Sequence, residues 1–384
     1  METVLLCCKT VGTDSVFTET MWRRSVGAAH TWFGCRSAGP KRIWGPHAVR
    51  TCSTPALPPG RITALQAVDL WRRHFEERGV TEPGHSSRYI IAHLLGAKTV
   101  ESLEHGKLTE FLSQEKTEQM WRLCTRRLSR MPVQYVIEEW DFRDLTLKMR
   151  PPVFIPRPET EELVELVLRD LMKNPGTGGD SQHACLEVGC GSGAISLSLL
   201  KSLPQLKVIA LDQSQAAVDL TVENALRLGL QDRLQVYHID VMKDAETVLS
   251  LCRHVSVLVS NPPYLFSEDV VSLEPEVLRW IHGVIILSAA PRFEDHSALD
   301  GGEDGLNVIR QILTLAPHIL SNHGRVYLEV DPRHPVLIRP WVEAHVEGLH
   351  YVATQHDFTG RPRFCILQKE KSHKDRELYL GLRN

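Results

Sequence analysis

The segment SNPPY, Ser260 to Tyr264, places an amide, two prolines and a phenol directly after a short apolar run. Pro262 and Pro263 cannot donate a backbone hydrogen bond and offer only carbonyl acceptors. The Asn261 side-chain oxygen and a proline carbonyl can together accept both hydrogens of a planar NH2 group, beside which the Tyr264 ring can stack. The segment predicts a site that holds an amide or amine nitrogen in line with an electrophile, although the same dipeptides also form ordinary surface turns.

A second segment, LEVGCGSGA from Leu186 to Ala194, contains three alternating glycines. Glycine permits a tight turn with positive φ and lets a ligand approach the backbone N–H groups closely. The helix that begins here adds the positive end of its dipole. The segment predicts a ligand-binding loop between a strand and a helix. By itself it does not identify the ligand, because Gly189, Gly191 and Ala194 also fit the dinucleotide fingerprint.

Two aspartates follow later strands of the same pattern. Asp212 lies nineteen residues after Gly193, where a carboxylate can accept hydrogen bonds from both ribose hydroxyls of a nucleoside. Asp240 can accept from an adenine amino group or cap the next segment. Because the carboxyl ends of parallel strands share one edge of a sheet, we expect Asn261 to face the ligand held by the glycine loop.

Short β-rich runs alternate with helical patterns from Ala184 onward, among them 214–228, 306–320 and 335–346. This alternation predicts an α/β fold with a doubly wound, mostly parallel sheet. Near the end of the chain, YVATQHDF and RFCILQK predict an antiparallel pair at one edge. Three helical patterns precede this region, at 61–78, 86–95 and 113–130, and predict a small helical domain. The period-two pattern from Gln134 to Met149, with a turn at Arg143-Asp144, predicts a β-hairpin linker.

Composition limits the class of protein. The chain has 384 residues, 42% hydrophobic and 24% charged, with a net charge of −3, so a general nucleic-acid polycation is disfavoured. No apolar run approaches the length of a membrane span. Nine cysteines, an odd number without any CxxC pair, argue against a disulfide framework and against a metal site, and for a reducing compartment.

The N-terminal 60 residues differ from the rest. Between Thr20 and Val68 there is no acidic residue, but there are seven basic ones. Arg-rich, acid-poor N-termini are typical of organelle transit peptides, although a disordered basic tail has a similar composition. We therefore expect residues 1–60 to direct the protein into an organelle.

Several segments together resemble the HemK/PrmC family of peptide-release-factor glutamine N5-methyltransferases, and above all its mitochondrial members. They are RMPVQYVIEEWDF (Arg130–Phe142), FIPRPETEELVE (Phe154–Glu165), LEVGCGSGAISLSLL (Leu186–Leu200), SNPPY (Ser260–Tyr264), ALDGGEDGL (Ala298–Leu306) and GRPRF (Gly360–Phe364). The resemblance implies a class I S-adenosylmethionine-dependent methyltransferase with a seven-stranded sheet, preceded by the helical domain and the hairpin. The implied boundaries are 1–60 for a transit peptide to the mitochondrial matrix, 61–132 for the helical domain, 133–155 for the hairpin, 156–370 for the methyltransferase domain and 371–384 for a tail.

The resemblance also implies roles for the site residues. The cofactor is expected to be S-adenosyl-L-methionine. Glu187 is expected near the amino group of the cofactor, Asp212 at its ribose and Asp240 at its adenine, with Asn261 adjoining. The residues expected around the methionine end are Gly189, Cys190, Gly191, Ser192 and Gly193. The substrate amide is expected between Asn261 and Pro262, with Pro263 and Tyr264 beside it. The implied partner is a class 1 peptide-release factor, which is methylated at the glutamine of its Gly-Gly-Gln motif. The helical domain is expected to bind this partner. We expect the enzyme to be a monomer that binds neither a membrane nor a specific nucleic acid.

Two features depart from the family pattern. Glu138 stands where the family usually has glycine, which puts the geometry of the linker in doubt if that glycine uses a positive φ. Residues 280–292 are an apolar insertion, because the family pattern continues as if Arg279 were joined directly to Phe293. Such an insertion is consistent with alternative splicing and lies just after the predicted substrate segment.

Three other functions fit part of the pattern. A DNA or RNA adenine-N6 methyltransferase also binds a planar NH2 group, but it needs a basic track and a flipped base. An NAD-dependent oxidoreductase shares the glycine loop but leaves Asn261 to Tyr264 unexplained. A non-catalytic binder of release factors or ribosomes would not depend on Asn261.

Overall fold

The computed structural model describes residues 60–173, 184–270 and 293–370. The expected transit peptide, the insertion at 280–292 and the tail at 371–384 therefore lie outside the described residues. Within the described ranges, no helix is long and apolar enough to cross a membrane.

The N-terminal region is helical, as predicted. It contains α1 (Ala64–Glu77), α2 (Pro83–Leu94), α3 (His105–Thr109) and α4 (Gln114–Leu128). A capping box at Thr63 starts α1, and the Ser113 hydroxyl accepts from the Lys116 backbone N–H to start α4. Trp71 and Phe75 of α1 are fully buried against α2 and α4, so the region has a core of its own. The short helix α3 was not predicted.

The linker is only partly a hairpin, so the prediction of strand structure from Gln134 onward was wrong at its start. Pro132 begins one helical turn, α5 (Val133–Ile137), whose last three residues are all buried. Those buried side chains produced the apparent period-two pattern. The hairpin itself pairs β1 (Glu139–Phe142) with β2 (Leu145–Lys148), and the predicted turn at Arg143-Asp144 is confirmed by the pairing of Phe142 with Leu145.

Glu138 joins α5 to β1 in the left-handed conformation, with φ of 61°. This is the backbone region that favours glycine, as the family pattern suggested. The Arg126 guanidinium of α4 stabilises this junction. It donates to the backbone carbonyls of Tyr135 (2.9 Å) and Val136 (3.3 Å) and to the Glu138 carboxylate (3.2 Å). The turn is therefore fixed by three hydrogen bonds from one side chain.

The second half of the chain folds around one sheet of seven strands, as predicted. The strands are β3 (Ala184–Val188), β4 (Lys207–Asp212), β5 (Leu234–His238), β6 (Val255–Ser260), β7 (Leu320–Glu329), β8 (Leu349–His356) and β9 (Pro362–Lys369). Their order is β5-β4-β3-β6-β7-β9-β8, and β9 runs antiparallel to both of its neighbours. The order reverses between β3 and β6, which is where a doubly wound sheet opens a ligand crevice.

Helices cover both faces of this sheet and bury two hydrophobic layers. They are α6 (Pro158–Lys173), α7 (Ala194–Ser202), α8 (Gln215–Leu228), α9 (Ala245–Leu251), α10 (Ser267–Val270), α11 (Asn307–Ile319) and α12 (Pro335–His345). The predicted helices at 214–228, 306–320 and 335–346 are confirmed to within a residue at each end, whereas α9 and α10 were not predicted. The arrangement places the ends of β3, β4 and β6 side by side.

Candidate active site

A cavity of about 300 Å³ opens at the carboxyl ends of the parallel strands. Its wall includes both chemistry-bearing segments, residues 189–192 of the glycine loop and residues 261–264 of the SNPPY segment. The two segments approach closely, because a Cβ atom added to Gly189 would lie 3.9 Å from the Asn261 backbone oxygen. The structure therefore brings Asn261 and the glycine loop into one crevice, as the strand pattern required.

The glycine loop is held open by the end of β4. Gly189 and Gly191 have φ of 80° and 56°, and nothing lies within 4 Å of a Cβ added to Gly191. The Gly191 N–H donates to the Asp212 carboxylate at 2.9 Å. Gly193 is different, because it precedes α7 and does not line the cavity; a Cβ there would lie 2.9 Å from Leu197. Gly193 thus allows close packing of the helix rather than access for a ligand.

Two residues of α8 support the loop from behind. Thr221 donates its hydroxyl proton to the Gly191 carbonyl at 3.0 Å. The Asn224 amide donates to the Ser192 carbonyl at 3.0 Å and also accepts from the Lys148 N–H of β2 at 2.7 Å. Both residues are fully buried. Their roles could not be predicted from the sequence, because their contacts connect positions about thirty or more residues apart.

Glu187 lies at the end of β3 and borders the cavity with only 1% of its surface exposed. One carboxylate oxygen accepts from the backbone N–H and the hydroxyl of Ser196 on α7. Burial raises the pKa of the Glu187 carboxyl to about 8, despite those two hydrogen bonds. A cationic group bound nearby would favour the ionised form.

Asp212 and Asp240 both line the cavity, but their surroundings differ. Burial raises the pKa of Asp212, which the N–H groups of Gly191 and Ser214 oppose. Burial acts in the same direction on Asp240, but Lys243 and the Met242 backbone N–H outweigh it and lower the pKa. Asp240 thus also caps the segment after β5, so both roles considered for it are compatible with the structure.

The amide of Asn261 is anchored on the side of α6. Its Nδ2 donates to the Thr160 hydroxyl at 3.1 Å, and Thr160 donates to the Glu329 carboxylate at 2.8 Å. The Tyr264 hydroxyl donates to the other oxygen of Glu329 at 3.1 Å. Pro262 and Pro263 line the cavity beside them. Thr160 and Glu329 were not identified from the sequence, because the hydrogen bond that joins them connects positions 169 residues apart.

Two other segments contribute to the wall of the cavity. Phe154, Arg157 and Thr160 belong to the FIPRPETEELVE segment. Residues 295 and 297–299, just after the insertion, complete this wall. They are anchored by Glu294, which accepts from Arg157 at 2.9 and 3.1 Å, and by the Asp295 N–H, which donates to the Pro152 carbonyl at 2.8 Å.

Comparison with known proteins identifies the family. The family model described as PrmC N-terminal domain matches residues 66–137, and the one described as Methyltransferase small domain matches residues 145–274. The human protein named MTRF1L release factor glutamine methyltransferase is 46% identical over 312 residues, covering 81% of this chain and 88% of the human protein. The release factor glutamine methyltransferase of Thermodesulfovibrio yellowstonii is 30% identical over 286 residues, covering 74% of this chain and 91% of that protein. The chain belongs to the release factor glutamine methyltransferase family, HemK/PrmC.

Among solved structures, this family member is similar to the release-factor-specific protein-(glutamine-N5) methyltransferase of Alicyclobacillus acidocaldarius. The identity is 25%, the TM-score is 0.32, and the match covers 56% of this chain and 95% of that chain. The family assignment therefore rests on the sequences. It confirms the resemblance drawn from the motifs and makes the chain a methyltransferase rather than an NAD-dependent oxidoreductase.

The cavity of this methyltransferase suits S-adenosylmethionine, its cofactor. Four carboxylates line it, those of Glu187, Asp212, Asp240 and Asp295, whereas Arg157 is the one basic residue in its described wall and is paired with Glu294. An anionic wall favours a ligand with ammonium and sulfonium charges over one with a pyrophosphate. Asp212, Asp240 and Glu187, predicted from the sequence to contact the ribose, the adenine and the amino group, all border this cavity, and those three contacts stay predictions.

Proposed function

We propose that this protein methylates the side-chain amide nitrogen of the glutamine in the Gly-Gly-Gln motif of a class 1 peptide-release factor in mitochondria. The single observation that supports this proposal is the shared crevice. Asn261 and Pro262 border the same cavity as the glycine loop, so an amide bound at the first lies beside a cofactor bound at the second. The names of the relatives supply the substrate class.

The chemistry of the site is mainly positioning. S-adenosylmethionine supplies an electrophilic methyl group when bound. An amide nitrogen is a weak nucleophile. The Asn261 side-chain oxygen and the Pro262 carbonyl assist by accepting hydrogen bonds from its two N–H groups. These bonds hold the nitrogen in line with the methyl group and increase its electron density. The Tyr264 ring packs at the side of the planar amide. Among the described wall residues, no side chain stands out as the base for the departing proton, so we infer that the proton is lost to water after transfer.

The remaining parts of the proposal concern partner and compartment. We propose that the helical domain, α1 to α4, grips the release factor, because a core of its own makes it a rigid surface. We propose that residues 1–60 direct import into the matrix, because the stretch from Thr20 to Val68 carries seven basic residues and no acidic one. A reporter fused to residues 1–60 tests this part, and a cytosolic reporter would contradict it.

Mass spectrometry of a recombinant mitochondrial release factor tests the reaction. After incubation with the full chain and S-adenosylmethionine, we expect one added methyl group on the glutamine of the Gly-Gly-Gln motif. Asn261→Ala should lower kcat/KM by about a hundredfold or more, because the amide loses one of its two acceptors.

Calorimetric titration with S-adenosylmethionine is the control for Asn261→Ala. Since the glycine loop and Asp212 are unchanged, the cofactor dissociation constant should stay close to that of the unaltered protein. Labelled methyl transfer to DNA or RNA instead of the release factor would show that the adenine-N6 alternative is right and the proposal wrong.

A further inference from the structure

Glu329 lies at the carboxyl end of β7, beneath the substrate side of the cavity. Its side chain is 1% exposed, and its carboxylate accepts two hydrogen bonds, from the Thr160 hydroxyl at 2.8 Å and from the Tyr264 hydroxyl at 3.1 Å. Thr160 is also buried, and its oxygen accepts from Asn261 Nδ2 at 3.1 Å. A chain of hydrogen bonds thus connects a residue of β7 to the amide that borders the cavity.

Proton counting fixes the direction of this chain. An ionised carboxylate can only accept, so both hydroxyl protons are committed to Glu329. The Thr160 oxygen then has only lone pairs left for its second partner and must receive a hydrogen. Asn261 therefore turns Nδ2 toward Thr160, which leaves Oδ1 as the half of the amide available to the cavity. The opposite rotamer would place two acceptors against each other.

We propose that Glu329 is a positioning residue for methyl transfer: through the Thr160 hydroxyl it locks the Asn261 amide with Oδ1 free to accept a substrate N–H, and through the Tyr264 hydroxyl it holds the neighbouring ring. The proposal rests on the proposed function, since it explains how the acceptor of the substrate amide is oriented. Glu329 itself touches neither substrate nor cofactor. It borders none of the cavity wall, whereas Thr160, Asn261 and Tyr264 all do.

The ionised form of Glu329 is needed for this lock. A protonated carboxyl, or a glutamine amide, carries a hydrogen that Thr160 or Tyr264 must accept, so only one of the two hydroxyls can still donate to residue 329 and the lock is incomplete. Burial raises the pKa of Glu329 to about 7, and Glu159 of α6 acts in the same direction. The Thr160 and Tyr264 hydroxyls and the charge of Arg363 on β9 oppose this rise. Arg363 is itself held by Asp357 at 3.3 Å.

Four variants of the full chain test the proposal, with S-adenosylmethionine and a recombinant mitochondrial release factor as the probes. Glu329→Gln and Thr160→Val break the lock, whereas Thr160→Ser keeps the hydroxyl and should restore activity. Ser198→Ala is the matched control, because it removes a fully buried hydroxyl that has no partner within the described residues.

We expect Glu329→Gln and Thr160→Val to lower kcat/KM for the release factor roughly ten- to a hundredfold, with cofactor affinity within about twofold of the unaltered protein. Thr160→Ser should retain most of the activity, and Ser198→Ala all of it. Thermal unfolding of each variant shows whether it folds. Folded Glu329→Gln and Thr160→Val with unchanged kcat/KM would overturn the proposal, as would a Thr160→Ser variant as impaired as Thr160→Val.

The pH profile provides a readout that lost packing alone would not change. At saturating cofactor, kcat/KM for the release factor should rise toward a plateau as Glu329 ionises near pH 7, and this rise should be missing in Glu329→Gln. A profile of the same shape in both proteins would contradict the lock.

Nuclear magnetic resonance separates failure of this inference from failure of the proposed function. In 15N-asparagine-labelled protein, the side-chain NH2 signal that disappears in Asn261→Asp belongs to Asn261. We expect this signal to shift in Thr160→Val and Glu329→Gln but not in Ser198→Ala. If the release factor is not methylated by the unaltered protein but the signal shifts, the function is wrong and the lock is right. An unshifted signal would show that Thr160 and Glu329 do not orient the Asn261 amide.

Discussion

At the scale of single residues, the site uses buried carboxylates whose proton affinity the fold has raised. Glu187 faces the cofactor cavity and Glu329 lies behind the substrate side, and burial raises the pKa of both, to about 8 and about 7. A charge placed in such surroundings lowers the stability of the free enzyme unless a ligand compensates. Glu187 thus favours binding of a cation, and Glu329 orients two hydroxyl groups. Burial of each charge lowers the stability of the free enzyme.

Glu187→Gln should change how stability depends on pH. With a folded pKa of about 8 against about 4.5 unfolded, the folded chain holds more protons than the unfolded chain between those values. The free energy of unfolding of the unaltered protein should therefore fall as pH rises from about 5 to about 8. That of Glu187→Gln should fall less, and the two decreases should differ by a few kcal/mol at the upper end of this range. Chemical denaturation across this pH range, without cofactor, measures the difference; parallel curves for the two proteins would refute it.

At the scale of elements, the junction between the helical region and the hairpin shows how a departure from the family pattern is accommodated. Glu138 takes the left-handed conformation that glycine adopts at little cost. Arg126 compensates with hydrogen bonds to the Tyr135 and Val136 carbonyls and the Glu138 carboxylate. The doubt about the linker geometry is therefore resolved in favour of the glycine-like turn. The strain remains, because a side chain in this region costs roughly 1 kcal/mol.

Glu138→Gly should raise the free energy of unfolding by about 0.5–1 kcal/mol, because relief of the strain exceeds the loss of an exposed ion pair. Glu138→Val should lower it by about 1–2 kcal/mol, since a branched side chain fits a positive φ poorly. Urea denaturation at neutral pH measures both changes. A valine variant as stable as the glycine variant would show that the junction does not require the left-handed conformation.

The elements also show what local sequence can predict. Strands β3, β4 and β6 and the helices α7 and α8 have continuous apolar patterns ended by glycine or polar residues, and these signals depend only on neighbouring positions. The segment from Gln134 to Ile137 was wrongly assigned to a strand, because a single helical turn contains too few residues to show the 3.6-residue hydrophobic period. Short helices such as α3, α9 and α10 escaped prediction for the same reason.

At the scale of the whole molecule, the residues that were missed are those joined by long-range contacts. The glycine loop, Asp212 and Asn261 could be placed from the sequence because parallel strands end at a common edge. Thr160 and Glu329 are 169 positions apart, and Asn224 meets Lys148 across 76 positions. Only the packing of α6 and α8 onto the sheet brings them together, and no local pattern records that packing.

Deleting residues 280–292 should leave cofactor binding intact. The wall that follows the insertion is anchored independently, because Phe293 is buried in the core, Glu294 pairs with Arg157 and the Leu265 N–H donates to the Leu299 carbonyl. We expect the S-adenosylmethionine dissociation constant to change less than about threefold.

Calorimetric titration measures this constant. As a positive control, Asp212→Asn should weaken binding about tenfold, since it loses a charge-assisted acceptor for the ribose. A deletion variant as weak as Asp212→Asn would show that the insertion supports the cavity. Methylation of a release factor by the same deletion variant then shows separately whether the insertion affects the substrate side.

The order of strands has a consequence for how the protein is made. β9 is the last strand of the described chain, yet it lies between β7 and β8, and β8 has β9 as its neighbour in the sheet. A chain that emerges from a ribosome or a translocation pore with its N-terminus first leaves one margin of β7 uncovered until residue 369 has followed. During that interval the exposed edge of β7 is a template for misassembly, and we expect chaperones to raise the folding yield until β9 has paired.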